Sequence, residues 1–478
     1  MITYVIVLLY LGSMVAIGLA SHRAARNTPD DYFLAGRSIG PVVLFFTLIA
    51  TNFSAFFFLG FAGVGYRVGY SYYPIMAFGT GLVALAFYFI GFKAWRLGRM
   101  RGYITPPEMI GDLLGSRVLQ VVVSIVMVQF TIPYLAIQPI GAGYLLSQLT
   151  DGAIPYYMGA TILTVCMVFY VFLGGMRSVA ATDVAQGIMM FVLMVLAVSA
   201  LGNALGGLSD ANARVMDIQP ALFSREGLDG FFTKRNWFSY MLLWILAVPM
   251  FPQVFMRFFT ARSKASLQTA AILYPIITAV LFIFPIIIGV LGHLVHPGLV
   301  GTDADQILPM MLASLAPEWL AALVMVGALA AFMSTMDSQL LALSSILTRD
   351  LYRTFVNPDV TIDQQVRIGR GLFVALAVVG LLVALNPPQT IFAIATEAFT
   401  GLAVLFPTTI AALHWKRATA AGCIASIVVG ELMLFGFHYG VIPAAWSGGF
   451  LPVTPIIAVT TAVLVVGSLL GQRKLDSR

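Results

Sequence analysis

Charged side chains are scarce in this sequence: only 10% of its 478 residues are Asp, Glu, Lys or Arg, whereas 60% are hydrophobic. A soluble domain is usually about a quarter charged, because polar groups must cover its surface. A chain this apolar cannot cover its surface in that way, so the solvent around most of it must be lipid. The composition therefore excludes a soluble globular protein.

Cysteine is nearly absent as well. The two cysteines, Cys166 and Cys423, both lie in apolar segments, which argues against a disulfide framework or a zinc site. The chain has only five histidines, and no His or Cys constellation is available at mid-membrane depth. We therefore predict that the protein is not an enzyme and that it has no cofactor.

Long apolar runs are abundant, and a transmembrane helix needs about 20 apolar residues. The first run has no basic segment before it, which favours a retained helix over a signal peptide. We predict an all-α integral membrane protein of the cell membrane with about 13 transmembrane helices. The thirteen candidate spans lie near residues 3–20, 41–66, 71–92, 118–148, 154–173, 178–203, 236–257, 267–292, 316–347, 368–385, 388–413, 418–438 and 452–471.

The positions of the cations orient these spans. With the N-terminus outside, 21 of the 26 Lys and Arg residues fall on the inner side, Arg257 among them, and 5 fall on the outer side. Cytoplasmic loops carry the excess of cations in membrane proteins. The sequence thus predicts an outer N-terminus and an inner C-terminus.

Two of the predicted spans are interrupted, at residues 50–55 and 248–253, by helix breakers or small polar residues. They lie five spans apart, an odd number, so the two units that contain them have opposite orientation. Such paired interruptions indicate a transporter's binding site, although two packing kinks would give the same pattern. The predicted division is a leading helix and inner loop (1–37), a first five-helix repeat (38–203), an outer loop (204–235), a second, inverted repeat (236–413), and two trailing helices with a cytoplasmic tail (414–478).

The ionisable residues expected within spans are all acids, namely Asp183, Asp337, Glu397 and Glu431, and no Lys or Arg is expected deep in any span. Such acids are costly in lipid and usually functional. Residues 331, 334, 335 and 338 share one helix face, whose oxygen atoms suit a hard cation; the alternative is that the hydroxyls bond their own helix. Two interpretations of Asp183 remain. It is an ion ligand near the inner face, or it is an acid at a helix N-terminus or a partner of Arg177.

At these residues the sequence resembles the sodium/solute symporter family over nearly its whole length. The resemblance implies a leucine-transporter-type fold of two inverted five-helix repeats, preceded by one helix and followed by two. The motifs that carry it are LAAFMSTMDSQLL at 329–341, TRDLY at 348–352, GGMR at 174–177 with TDVAQG at 182–187, DYFLAGR at 31–37 and, more weakly, WKRAT at 415–419.

The resemblance also implies binding residues. Carried over by position, the main sodium site uses the backbone carbonyls of Ala50, Phe53 and Ala331 with the hydroxyls of Ser334 and Thr335. A possible second sodium site comprises Asp183, Ser334, Asp337 and Ser338. Trp244 matches a tryptophan of proline carriers, although core packing is the alternative for any single aromatic residue. The residues predicted to bind the solute are Asn52, Ser54, Phe57, Tyr134, Gln138, Trp244 and Gln253.

Three departures from the family bear on the solute. Proline carriers have an acid at the position of Asn52, whereas sialic-acid members use an arginine in the fourth span and sugar members a lysine in the bundle, neither of which is found here. A sugar acid is therefore disfavoured. The segments 52–66 and 399–401 resemble those of monocarboxylate- or pantothenate-type members more than those of the other members.

These observations predict a sodium-coupled symporter that imports a monocarboxylate, an amino acid or a pantothenate-like solute by alternating access. Its expected partners are sodium, the solute and the bilayer, with no nucleic acid and no obligate protein partner. One alternative is a proton-coupled carrier of the same fold in which Asp183 or Asp337 titrates. Another is a membrane sensor, which normally needs a cytoplasmic signalling domain, whereas few residues follow Gly471.

Overall fold

The computed structural model describes residues 2–22, 28–387 and 389–476. Within these ranges the chain is helical, and the only strand-like pairing is an isolated parallel bridge between Ile39 and Ala261. This confirms the all-α prediction. Helices suit a membrane protein because they satisfy their own backbone hydrogen-bonding groups in lipid. Some of the cations counted on the inner side lie outside the described backbone or side chains: Arg23, Arg26, Arg473, Lys474 and Arg478.

Nine helices of the described ranges are long and apolar enough to cross a membrane, and two bent pairs raise the number to as many as 11. Two shorter apolar helices, Ile2–Gly18 and Tyr156–Phe172, coincide with the remaining two predicted spans. The exact number of spans and the sides of the termini stay predictions. The nine are Tyr72–Arg101, Arg117–Leu149, Gly174–Ala204, Lys264–Leu294, Glu318–Val356, Ile362–Ala384, Ile391–His414, Ala420–His438 and Val453–Gly471.

The first bent pair, which we call the first broken span, joins Pro41–Asn52 to Phe56–Val68 at 57°. The first helix ends without a proline: Phe53 turns to an extended conformation, with φ −90° and ψ 97°, and a π-helical turn follows from Phe56 to Gly60. The break is therefore maintained by contacts with other helices.

The second broken span joins Lys234–Met250 to Pro252–Thr260 at 52°. Here prolines account for the break, because Pro249 and Pro252 cannot donate the backbone hydrogen bonds that a continuous helix needs. Pro252 occupies the first turn of the new helix, where its missing N–H is harmless. Both interruptions predicted from the sequence are thus confirmed as breaks between bent helices.

Two predicted spans, near 154–173 and 178–203, are joined without a loop in one helical run, Tyr156–Ala204. The run turns at Gly175, whose φ of +55° and ψ of −146° depart from helical values. A Cβ atom at this position would lie 2.7 Å from the carbonyl oxygen of Tyr32. Glycine is needed here for both reasons, which gives the GGMR motif a structural role.

The helix Glu318–Ile346 lies at the centre of the molecule and continues as a π-helical segment, Leu347–Val356. In its most apolar window 83% of the residues are buried, against 33% for Ala420–His438 and 28% for Val453–Gly471. The two trailing helices are therefore peripheral and mostly face lipid. The central helix is placed to contact both broken spans, and it carries the most specific sequence motif.

Candidate functional site

Two hydroxyl groups of the central helix lie against the first break. Ser334 Oγ donates to the carbonyl oxygen of Ala50 over 2.6 Å and lies 3.4 Å from that of Ala331. Thr335 Oγ1 lies 3.3 Å from the carbonyl oxygens of three residues of the break, Ala50, Thr51 and Phe53. We call the group of Ala50, Phe53, Ala331, Ser334 and Thr335 the hydroxyl cradle; all five are fully buried.

The cradle contains every residue predicted for the main sodium site, and the Thr51 carbonyl is a neighbour that the sequence reading omitted. The hydroxyl of Thr335 has one proton, so it can satisfy only one of its three carbonyl neighbours at a time. The other carbonyl oxygens then face its lone pairs. A cluster of neutral oxygen atoms short of positive charge is the chemistry that a hard cation such as sodium takes.

The unwound backbone of the break is held by two residues that had been predicted to bind the solute. Gln138 Oε1 accepts from the backbone N–H of Ala55 over 3.0 Å. Ser54 Oγ accepts from the N–H of Phe56 over 3.1 Å and pairs with the hydroxyl of Tyr134 at 2.8 Å. Freed backbone groups need such partners at membrane depth, so Ser54 and Gln138 maintain the break.

A small central cavity of about 20 Å³ lies beside the break, which is room for about one water molecule. Of the residues predicted to bind the solute, Asn52, Phe57, Tyr134 and Trp244 line it, whereas Ser54, Gln138 and Gln253 do not. Gln253 is buried on the second broken span, and its Oε1 has no partner within the described residues. The lining residues that the sequence reading missed are Phe56, Phe61, Met76, Thr80, Val248, Phe282 and Phe399.

A second cavity of about 530 Å³, on the predicted outer side, lies between the Phe56–Val68 half of the first broken span and the helix that begins at Ile391. Aromatic rings separate this cavity from the central one. Phe392 lines the second cavity and Phe56 the central one, and their ring centroids lie 6.3 Å apart. An ion pair between Arg67 and Asp305 at 2.9 Å holds this end of the first broken span. Burial raises the pKa of Asp305, and Arg67 opposes that rise.

One turn beyond the cradle, the central helix meets a charged cluster. Arg257, on the second broken span, donates to Ser338 Oγ over 2.6 Å and to Asp183 Oδ2 over 3.3 Å. It also donates to Thr51 Oγ1 over 2.9 Å. Asp337 Oδ1 accepts from Ser338 over 3.1 Å. Arg257, Asp183 and Asp337 are all fully buried, so we call these three residues the charged cluster.

This cluster corrects two readings of the sequence. The expectation that no Lys or Arg lies deep in a span is wrong for Arg257, which was counted as an inner-loop cation. Arg177 is not the partner of Asp183, because it pairs with Asp31 at 2.6 Å. The sequence feature that could have revealed the burial of Arg257 is its position as the single cation in the apolar run VFMRFF at 254–259.

The residues predicted for a second sodium site are only partly brought together as a site. Asp183, Asp337 and Ser338 lie close to one another, but the guanidinium group of Arg257 lies among them. The fourth, Ser334, points to the Ala50 carbonyl in the hydroxyl cradle. A fixed cation thus stands where the resemblance implies a mobile one.

Known structures share this fold. The chain matches a Na⁺-coupled sialic acid symporter in a substrate-bound outward-open state with a TM-score of 0.82 and 18% identity, covering 98% of both chains. It also matches Mhp1, a nucleobase-cation-symport-1 family transporter in a closed conformation with bromovinylhydantoin bound, with a TM-score of 0.63 and 14% identity over 93% of both chains. These likenesses confirm the leucine-transporter-type fold.

Curated relatives are similar along nearly the whole sequence. The sodium/pantothenate symporter of Escherichia coli (strain K12) is 29% identical over 92% of this chain and 90% of its own. The sodium/proline symporter of Staphylococcus aureus (strain JH9) is 27% identical over 98% of this chain and 93% of its own. The model of the sodium:solute symporter family matches residues 32–430. The chain is therefore a multi-pass membrane protein that belongs to the sodium:solute symporter family.

Proposed function

We propose that this protein imports a small organic solute by alternating access, driven by sodium that binds in the hydroxyl cradle. The observation that carries the proposal is that the cradle and the central cavity share the first break. The carbonyls of Ala50 and Phe53 belong to the cradle, whereas Asn52 and Phe57 line the cavity. A cation that draws these carbonyls together therefore also fixes the side chains that the solute meets, which couples the two binding events.

The cavity lining indicates the class of solute. No charged residue of the described chain lines it, and most of the lining is aromatic. Two groups of the lining, Trp244 Nε1 and Thr80 Oγ1, are buried without a hydrogen-bond partner in the described ranges. Trp244 can only donate, so it favours a solute with acceptor oxygens and an apolar body. A monocarboxylate, an amino acid or a pantothenate-like compound meets this requirement, and the relatives named above carry pantothenate and proline.

The size of the driving force depends on the charge of the solute. One sodium ion entering across 100 mV contributes about 2.3 kcal/mol, and a tenfold gradient adds about 1.4 kcal/mol. The sum supports roughly 500-fold accumulation of a neutral or zwitterionic solute. A monoanion carried with one sodium ion cancels the electrical part, which leaves about tenfold accumulation.

Uptake into proteoliposomes tests the proposal. Purified protein is first screened by thermal shift against monocarboxylates, amino acids and pantothenate, with and without sodium. The compounds that stabilise it only with sodium are then offered to proteoliposomes under an inward sodium gradient, and we expect accumulation that collapses with the gradient. If no compound accumulates and sodium alone does not stabilise the protein, the proposal is wrong.

The variant Trp244→Phe tests the solute site separately. Removing the N–H while keeping a ring should raise the solute KM by about tenfold, the effect of losing roughly 1.5 kcal/mol of hydrogen bonding. The sodium concentration for half-maximal uptake should change little, because the rings that pack on Trp244, those of Phe56, Tyr240 and Phe399, are not part of the cradle. Trp446→Phe, at a tryptophan that is 78% exposed, is the matched control. An unchanged KM for Trp244→Phe would remove this residue from the solute site.

One observation favours a second candidate, a proton-coupled carrier. The charged cluster has two acids and one arginine, and Asp183 Oδ1 has no partner in the described part of the chain. One further positive charge would neutralise it, and a proton supplies that charge as well as a second sodium ion does. Uptake that follows an inward proton gradient without sodium, and that Asp337→Asn abolishes, would favour this candidate over sodium coupling.

A further inference from the structure

A large cavity that takes no part in the proposed transport cycle lies on the predicted inner face. It encloses about 850 Å³, within the range of small-molecule sites. Its walls come from the end of the helix Phe92–Arg101, the short helix Pro106–Leu113, the start of Arg117–Leu149 and the π-helical segment after the central helix. The charged groups that line it are Arg101, Arg117, Arg349, Arg353, Glu108 and Asp112.

Two of the four arginines are neutralised within the wall. Arg101 pairs with Asp112 at 2.7 Å, and Arg349 pairs with Glu108 at 2.7 Å. The hydroxyl of Tyr103 and the guanidinium of Arg101 hold the pKa of Asp112 below its usual range, so this carboxylate stays ionised beside Arg101. These contacts use both acids that line the cavity.

The other two arginines have no acid to pair with. Arg117 and Arg353 line the cavity, both are exposed, and neither guanidinium group forms an ion pair or a hydrogen bond with any described residue. Arg117 also begins the 33-residue helix Arg117–Leu149, whose N-cap residue Ser116 lines the same cavity. The partial positive charge of that helix end adds to the two unpaired guanidinium groups.

Large apolar side chains flank this basic lining in the sequence. Met100, Val118 and Phe355 are 69%, 63% and 60% exposed, and each is next to a residue of the cavity wall. Exposed apolar residues beside unpaired arginines are typical of the interface between a membrane and water, where acyl chains and headgroups meet. This setting fits a ligand whose anionic part enters the cavity and whose apolar part remains in the bilayer.

We propose that this cavity binds a phosphate-bearing anion through Arg117 and Arg353. Guanidinium groups bind phosphate oxygens through paired hydrogen bonds, and the anion supplies the negative charge that the wall lacks. The headgroup of an anionic lipid and a soluble phosphate share this chemistry. The bound anion bridges the start of Arg117–Leu149 and the segment that extends the central helix, which Gln120 and Asp350 already join at 2.6 Å.

Thermal unfolding of the purified full-length protein tests the proposal in two arms. In the first, nanodiscs of phosphatidylcholine are compared with nanodiscs that also contain phosphatidylglycerol, and retained lipid is counted by native mass spectrometry. In the second, inorganic phosphate replaces chloride at constant ionic strength. Each arginine near an anionic surface is worth about fivefold in affinity, so Arg117→Gln/Arg353→Gln should weaken anion binding about 30-fold.

The matched control is Arg96→Gln/Arg367→Gln, which removes the same charge from exposed arginines of the same predicted face that do not line the cavity. Arg117→Lys/Arg353→Lys keeps the charge if the glutamine variant folds poorly, and it should retain part of the binding. Stabilisation by phosphatidylglycerol alone identifies a lipid, and stabilisation by inorganic phosphate identifies a soluble anion. No stabilisation of the wild type in either arm, or equal weakening in the control, overturns the proposal.

Discussion

Two neighbouring turns of the helix Glu318–Ile346 meet the broken spans with opposite chemistry. At Ser334 and Thr335 the contacts are neutral, made by hydroxyl groups and the carbonyl oxygens of the first break. One turn further, the contact involves a charged group: Arg257 of the second broken span donates to Ser338 Oγ, which itself donates to Asp337. The neutral hydroxyl cradle lacks positive charge and can accept a mobile ion, whereas the charged cluster already contains a cation that cannot leave.

This difference separates two tasks that one helix carries out. Under the proposed function, an ion in the cradle orders the first break, whereas Arg257 of the charged cluster joins the second broken span to the same helix through Ser338. Thr51 contacts both regions, because its carbonyl oxygen lies 3.3 Å from Thr335 Oγ1 and its hydroxyl accepts from Arg257. Thr51 therefore joins the first broken span to Arg257 of the second within one turn of the central helix.

The largest expected effect comes from breaking the charged cluster. Arg257→Gln leaves the buried carboxylate of Asp183 without its cation, which should destabilise the protein by about 3–5 kcal/mol. We expect a lower unfolding midpoint and little or no uptake.

The double variant Arg257→Gln/Asp183→Asn removes both charges and should recover a substantial part of the lost stability. Thermal unfolding of the two single variants and the double variant measures the coupling. Independent, additive effects of the two substitutions would contradict the ion pair.

The next effect comes from the cradle. Ser334→Ala and Thr335→Ala each remove a hydroxyl ligand, and each should raise the sodium concentration for half-maximal uptake by roughly tenfold or more, since hydrogen-bonding or ligating groups on a charge are worth about 1.5–3 kcal/mol. The solute KM at saturating sodium should change much less.

Ser344→Ala is the control for both cradle variants. Ser344 is buried on the same helix, and among the described residues its hydroxyl bonds only the Leu341 carbonyl, 3.0 Å away. If this control shifts the sodium dependence as much as Ser334→Ala does, the cradle is not the ion site.

The smallest of these effects is expected at Thr51, which contacts both regions. Thr51→Val keeps the carbonyl beside the cradle and removes the hydroxyl beside Arg257, so it should lower stability by about 1–2 kcal/mol. It should shift the sodium dependence less than Thr335→Ala does. Thermal unfolding and sodium titration of uptake check both statements, and a sodium shift as large as that of Thr335→Ala would mean that the two regions are not distinct.

The parts of this arrangement that could be predicted from sequence are those set by local residue types. Small polar residues at 50–55 and two prolines at 249 and 252 mark the breaks wherever the helices pack. The hydroxyl face of 331–338 follows from helical spacing alone. These features depend on the order of residues within one segment, and the structure places them as expected.

The rest depends on how distant segments meet. Arg257 was read as an inner-loop cation because a charge count assigns each cation to the nearest loop, and only the tilt of Pro252–Thr260 brings it to Asp183. Ser54 and Gln138 were predicted to bind the solute from their positions at the first break and on the fourth span, and the structure shows that both also accept hydrogen bonds from the unwound backbone. The choice between these roles is fixed by which atoms the folded chain brings within reach, and residue type does not encode it.

The hydroxyl cradle draws three of its five oxygen atoms from the main chain, at Ala50, Phe53 and Ala331. Ala50 and Ala331 are already alanine, and Phe53→Ala leaves its carbonyl group in place, so an alanine scan removes an oxygen atom of the cradle only at Ser334 and Thr335. Backbone ligands also tolerate sequence drift, provided that the break keeps its shape. If the cradle binds sodium as proposed, two homologues can differ at several cradle positions and still select the same ion, whereas a substitution that straightens the break abolishes selection without changing a ligand.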